Sequence, residues 1–348
     1  MHRRALLILV ATLAACSADP VAPGNPSVVN AEAALDQLQP EATLPQWTPV
    51  SIPTRNRVNS ILAFSTTEYF LTADWGTFLH SVDGGATWSV VPSATSNPIY
   101  GVWGSSPSDL YVTSWYGTVQ HWDGANWTDV GPGLYHPNSA IYRIWGSGPA
   151  DIYTVGDEGM VWHFDGNAWA RLDVGATHVR AFQGVWGTGA NDVFIAGGSG
   201  GLSGYAPASI LHYNGRRWTS MPLPSSVADL ILGNVWGTGP RDVYAAGWDY
   251  SSTRGVILHY DGNRWTVNLA QDFTLLGVGG SAEQDKTVVG IGGRIGHYDG
   301  HAWRPVASPT SVDFSTVYFA PDGTGWIGGF YGTLLRRAPC PPRGRCTR

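Results

Sequence analysis

The 348-residue chain carries only 13% charged side chains, about half the share of an ordinary globular domain, yet it holds 45 glycines and 17 tryptophans. With a single lysine, Lys286, a net charge of −6 and no basic cluster in its body, it lacks the electrostatic footprint that a phosphate backbone requires. Nucleic acid is therefore excluded as a partner.

At the start of the chain Arg3 and Arg4 precede an apolar run over residues 5–15, and Leu13-Ala14-Ala15-Cys16 closes it. Such a run is too short to span a bilayer. The stretch resembles the signal peptide and lipobox of bacterial lipoproteins, which implies that Cys16 is the lipidation site. Residues 1–16 are then signal peptide and lipobox. Residues 17–45, rich in Ala, Pro, Ser and Gln, read as a flexible tether with an end-to-end distance of about 30 Å.

From residue 46 a unit of roughly 40 residues repeats. Its closing Trp falls at Trp88, Trp127, Trp169, Trp218, Trp265 and Trp303, spaced by 39, 42, 49, 47 and 38. An earlier landmark recurs as "GVWGSSPSD" (101–109), "RIWGSGPAD" (143–151), "GVWGTGAND" (184–192), "NVWGTGPRD" (234–242) and a decayed "GVGGSAEQD" (277–285), where Gly279 replaces Trp. Within each unit, short runs of period two alternate with Gly, Ser, Pro and Asp turns, which predicts four antiparallel strands. A lone sheet of this size exposes both faces, and radial stacking buries them, so the expected fold is an all-β, seven-bladed β-propeller.

The blade count follows from the chain ends. The last unit, from Val317, supplies three strands and stops, while "WTPV" at 47–50 matches "WRPV" at 303–306 and lies 41 residues before Trp88. Trp47 is expected to complete the seventh blade, closing a propeller over residues 46–338 and leaving no free edge. In the tail, 339–348, Cys340 and Cys346 would be free to pair after export to an oxidising compartment. That tail has no His, Asp or Glu, so no metal is expected there.

"SVDGGATW" at 81–88 fits the Asp-box pattern and resembles the BNR-type repeats of sialidases and other propellers. The wider unit is similar to repeats of secreted bacterial propellers, and "GTGWIGGFYGTLLRR" (323–337) resembles blades of the photosystem II assembly-factor propellers. Asp123, Asp165, Asp261 and Asp299 precede Gly where a hairpin should join the third and fourth strands; Asp-Gly suits the positive φ angles of such a turn. His80, His121, His163, His212, His259 and His297 recur once per blade and cannot share a metal. Repetition in every blade, which also applies to Asp109, Asp151, Asp192, Asp242 and Asp285, means architecture.

A sialidase-like site would imply an arginine cluster, an early Phe/Tyr-Arg-x-Pro motif and a Tyr nucleophile with a Glu partner. The first blade, 58–85, contains no Arg, and among the innermost strands only Arg143 is basic. No nucleophile elbow, zincin or phosphate-loop motif occurs. No catalytic residue, cofactor or metal is expected.

Function is better sought where the repeat is broken. Insertions at 197–209 and 247–255 fall between the second and third strands of neighbouring blades, on the face opposite the Asp-box turns. The same turn aligns as Asp74-Trp75, Trp115-Tyr116, Asp157-Glu158, Gly292-Gly293 and Phe330-Tyr331. Trp75, Trp115, Tyr116, Tyr205, Trp248, Tyr250, Phe330 and Tyr331 are thus expected to present aromatics on one face for ligand binding, or else to fold back over the blade edges. The expectation is a monomeric, lipid-anchored, non-catalytic propeller of the cell envelope that binds a glycan or an envelope protein. A glycosidase on an Asp-box propeller and a passive assembly scaffold are the alternatives.

Overall fold

In the computed structural model, which describes residues 45–340 apart from 94, 132–138, 176–178, 200–205 and 250–251, each repeat folds into one four-stranded antiparallel sheet. Seven such sheets form the ring. Blades 1 to 6 follow chain order, their innermost strands being Val58–Ala63, Ile99–Ser106, Ile141–Gly148, Ala181–Gly189, Ile231–Gly239 and Leu275–Ala282. Blade 7 is built from Phe314–Phe319, Gly325–Gly329 and Leu334–Arg337, and the strand Thr48–Pro49 from the other end of the chain completes it.

Neighbouring blades cover both faces of the second strands, so these strands lose the polar alternation of a half-exposed sheet. Tyr69–Ala73, Asp285–Gly290 and Gly325–Gly329 are buried at every residue. The outermost strands of blades 1 to 4 are only two or three residues long, which leaves little open edge for another chain to pair with.

The landmark "WG" is explained by the blade interfaces. Trp103 lies on Gly146 of the next blade, Trp145 on Gly187, Trp186 on Gly237 and Trp236 on Gly280; a Cβ on any of these glycines would sit 2.7 to 2.8 Å from the indole. The closing tryptophans also reach backward. The Trp127 ring packs edge-on against Phe78 of blade 1, and its indole N–H donates to Pro92 O at 2.9 Å.

Ring closure rests on few but well-placed contacts. Thr48 and Pro49 pair with Arg336 and Leu335, Val50 N donates to Leu334 O at 2.8 Å, and Trp47 is buried against the edge of Phe319. On the other side of blade 7, Trp326 meets Tyr69 and Trp88 of blade 1 edge-on, and the Ser315 hydroxyl donates to Val58 O.

The turns between third and fourth strands follow the sequence in part. In the full Asp box, Asp83 Oδ1 accepts from Thr87 N and Oδ2 from the Thr87 hydroxyl, which hold its carboxyl down at about 2; Gly84 and Gly85 take the positive φ angles. In the shortened copies only the glycine is left-handed, with Gly124 at 94°. Asp123 works instead through its side chain, Oδ1 accepting from Ala125 N and Asn126 N at 2.8 and 2.7 Å. The sequence reading assigned the pair to backbone conformation; the carboxylate is a hydrogen-bond acceptor.

Two outcomes are expected. A chain shortened to begin at Pro53 loses Trp47 and its strand, and its Tm should fall by about 5 °C or more, while a chain beginning at Pro45 should melt with the full-length protein. Equal melting of the two would overturn this account of closure. Gly187→Ala forces a Cβ to within 2.5 Å of Asp192 O and 2.8 Å of Trp145, and should cost about 1 to 3 kcal/mol in denaturant titration. Gly189→Ala, two residues on, meets nothing within 4 Å and should change stability by less than about 0.5 kcal/mol.

Candidate functional site

The recurring His and Asp residues meet inside each blade. His121 Nε2 lies 2.7 Å from Asp109 Oδ1, with equivalent pairs His163–Asp151 at 2.7 Å, His212–Asp192 at 2.6 Å and His259–Asp242 at 2.8 Å; blade 1 uses Glu68 opposite His80 at 3.1 Å. The second carboxylate oxygen takes a hydroxyl from the end of the innermost strand, such as Ser147 or Thr188, each at 2.5 Å. Burial works against the Asp242 charge, but bonds from His259 and Thr238 and the Lys286 ammonium hold its carboxyl well below the usual range. These groups tie three strands of one sheet together and leave the His side chain engaged.

Blade 6 breaks that pattern. Asp285 accepts a bidentate pair from Arg337 of blade 7, at 2.8 and 2.5 Å, while His297 is buried and its imidazole pKa is pushed down by burial. Lys286 is buried between Tyr244 and Tyr298, 4.7 and 4.9 Å from the ring centres. The departure links blade 6 to Asp242 of blade 5, 3.5 Å from Lys286 Nζ, and to Arg337 of blade 7.

A second irregularity occurs in all seven blades and is not structural in the same sense. The pairing of each innermost strand slips by one residue near its start, between Ile99 and Gly101 in blade 2 and between Ile141 and Arg143 in blade 3, for example. The slip is a β-bulge, which leaves one residue per blade unpaired and re-aims its side chain. Tyr100, Tyr142, Gln183 and Leu276 are the bulge residues of blades 2, 3, 4 and 6. Asn59, Ser315 and Gly233 take the position in blades 1, 7 and 5. All seven line one axial cavity of about 370 Å³, a volume in the range of small-ligand pockets.

The mouth of this cavity lies on the insertion-bearing face, because Trp115, Trp248 and Phe330, at or next to the turns between second and third strands, also line it. Trp248 rests on Gly233, where a Cβ would come within 2.4 Å of its ring. Trp115 packs against Tyr100, and Tyr100 against Tyr142, with ring centres 6.4 and 5.5 Å apart. Burial pushes the Tyr100 hydroxyl up to about 12 and the Tyr142 hydroxyl higher still.

Two arginines enter the cavity. Arg57, just before the first strand of blade 1, pairs with Asp74 at 3.2 Å and stacks over Phe330 at 5.3 Å. Arg143 donates from Nη1 to the Tyr100 and Tyr142 carbonyls at 3.0 and 3.1 Å, and no carboxylate among the described residues pairs with it. Although its surface is partly open to the cavity, protein surrounds it, and this burial, with Arg57 nearby, pushes its pKa down to about 10. Asp157 is engaged elsewhere, accepting from Tyr142 Oη at 3.1 Å and Ala140 N at 2.8 Å; burial raises its pKa.

The eight aromatic positions expected to form a binding face divide into three groups. Trp75 and Tyr331 are the exposed ones, at 74% and 77%. Trp115, Trp248 and Phe330 are half-buried and lean over the cavity, and Tyr116 is half-buried at the turn beside Trp115. Tyr205 and Tyr250 lie outside the described residues, as do Cys16 and Cys346. Cys340 is disulfide-bonded. The turn alignment needs one correction: Gly292 and Gly293 have the positive φ angles of Trp75 and Gly76, so Gly292 corresponds to Trp75 and not to Asp74. The sequence reading missed Arg57 and the bulge ring. The available signal was the residue just before each landmark, which is Tyr, Tyr, Gln, Gly and Leu in blades 2 to 6 while its neighbours hardly change.

No protein-family model matches the chain. A 59-residue stretch is 39% identical to the Immune protein Tsi7 of Pseudomonas aeruginosa, covering 17% of this chain and 19% of that protein, so the match spans about a fifth of the relative. Among solved structures, YCF48 bound to D1 peptide superposes with a TM-score of 0.65 at 15% identity, over 87% of this chain and 100% of that one. The WD40 β-propeller domain of Doa1 gives 0.65 at 9% identity, over 85% and 96%. At these identities the likeness establishes the fold alone, a seven-bladed β-propeller.

Proposed function

We propose that the protein is a non-catalytic binding propeller of the cell envelope that docks a protein segment on its insertion-bearing face. The observation that carries this reading is a set of aromatics in left-handed backbone at the rim of the cavity. Tyr331, Trp75 and Tyr116, in the consecutive blades 7, 1 and 2, have φ of 56°, 57° and 65°, each followed by a left-handed Gly. Two successive positive φ angles define a type I′ turn, which Asn and Gly fill at little cost. A bulky residue there costs roughly 1 to 2 kcal/mol, and Trp75 and Tyr331 gain little packing in return, because they point into solvent. Aromatic side chains held out in this way are the usual anchors of protein interfaces. The similarity to a propeller that carries a bound peptide supports the same use here.

Anchoring through Cys16 is compatible with this geometry. Thr48 pairs with Arg336 and Pro49 with Leu335, so the chain enters blade 7 at the end of the sheet away from the Phe330–Gly332 turn. The described chain therefore begins toward the face opposite the cavity mouth, an arrangement compatible with a lipid anchor at Cys16 and an open mouth.

Trp75→Gly and Tyr331→Gly should raise stability by about 0.5 to 1 kcal/mol, since they remove left-handed strain, and should weaken capture on a peptide array about tenfold. A loss of stability with unchanged capture would sink the docking reading. A glycan array run in parallel, with released sugar measured, tests the carbohydrate-binding and glycosidase alternatives. Cys16→Ser should give an exported protein that no longer sediments with membranes; continued membrane association would overturn the anchor.

A further inference from the structure

We propose that the axial cavity seats a carboxylate of an acidic peptide against Arg143, which deepens the docking reading and rests on it. Arg143 is the cation of the cavity without an acid partner among the described residues; Arg57 already has Asp74. Among the described residues only Nη1 of Arg143 is engaged, by two backbone carbonyls that fix the plane of the guanidinium, which leaves Nε and Nη2 for a forked bond to an incoming carboxylate. A charge enclosed by protein without a counterion is unfavourable, and an arriving anion relieves that penalty.

The surroundings favour a peptide over a sugar. Sugar recognition needs several unengaged polar groups, but Asn59 Nδ2 is already bound to Asp74 Oδ1 and Ile99 O at 2.9 and 3.0 Å, Tyr142 Oη to Asp157, and the Ser315 hydroxyl to Val58 O and Gly328 O. Beyond the Tyr100 hydroxyl and the Gln183 amide, what the cavity offers is Arg143, a cation with no acid partner among the described residues, beside the apolar side chains of Trp115, Trp248, Phe330 and Leu276. That combination matches an acidic residue, or a chain terminus, flanked by apolar side chains, whose body would rest on Trp75 and Tyr331 at the rim. A phosphate-rich polymer is disfavoured by the net charge of −6.

The test uses the full chain on an array of hexapeptides, each printed with Asp or Glu and with the matching Asn or Gln, and with a free or an amidated C-terminus. Oligosaccharides of uronic acid are printed beside them. The expected result is that the bound peptides lose about tenfold or more in affinity when the carboxylate becomes an amide. Arg143→Met should abolish that discrimination. Because Arg143→Met could unfold the blade, Leu276→Asp supplies a second variant: it puts a competing carboxylate inside the cavity and should reduce capture of acidic peptides, whereas Leu276→Asn should not. Neutral peptides binding as well as acidic ones, or discrimination that persists in a folded Arg143→Met protein and in Leu276→Asp, would overturn the proposal. If that binding still weakens in Trp75→Gly, the docking reading survives. Binding of no peptide at all, or of uronic acid oligosaccharides alone, would overturn both.

Discussion

A large side chain laid on a small one across each blade interface is the contact on which the ring depends. From blade 2 to blade 6 the arrangement is literal: Trp103, Trp145, Trp186 and Trp236 each cover a glycine of the next blade. A glycine is required because the indole approaches within the space a Cβ would occupy, and the flat ring then buries apolar area against bare backbone. The contact also fixes the separation of neighbouring sheets, and with it the number of blades that can close.

The decayed landmark of blade 6 shows how strict this constraint is. Gly279 stands where Trp is expected, and the space is filled from the other side by Val317 and Phe319 of blade 7, which would lie 3.5 and 3.6 Å from a Cβ on Gly279. Phe319 is itself paired with Gly325 and held by Trp47 from the chain start. At the next interface Tyr318 reaches Ala63, its hydroxyl accepting from the Ala63 amide at 3.1 Å. The large and small partners exchange sides where the two chain ends meet, and the interface stays filled.

This constraint accounts for what was legible in the sequence. Every blade must meet the same neighbours, so Trp, Gly, His and Asp recur at fixed offsets, and the blade count and the strand donated by residues 48–49 could be read directly. The cavity could not be read in that way. A bulge shifts side-chain direction by one residue without leaving a characteristic letter, and Arg57 reaches the axis from outside any strand. Trp115 and Trp248 could be placed on the correct face from their turns, but only the packing of Trp115 on Tyr100 and of Trp248 on Gly233 shows that they lean inward. The His residues of blades 1 to 5 pair with the acids at the start of the second strands and not with the Asp of their own motif, a partnership that the repeat spacing alone does not reveal.

The two ends of the propeller are consequently governed by different rules. On the Asp-box face, side-chain acceptors such as Asp123 and Asp165 satisfy backbone amides, and glycine takes the left-handed positions, so each local choice favours the fold. On the opposite face Trp75, Tyr116 and Tyr331 occupy left-handed positions at a cost, and Arg143 is enclosed with no counterion among the described residues. The bulge residues are free of the fold's demands in a different way: outside the strand pairing, the position holds Asn, Tyr, Gln, Gly, Leu or Ser in different blades. Selection for stability alone would remove the strained aromatics and pair the arginine, and their concentration around one mouth supports the docking proposed there.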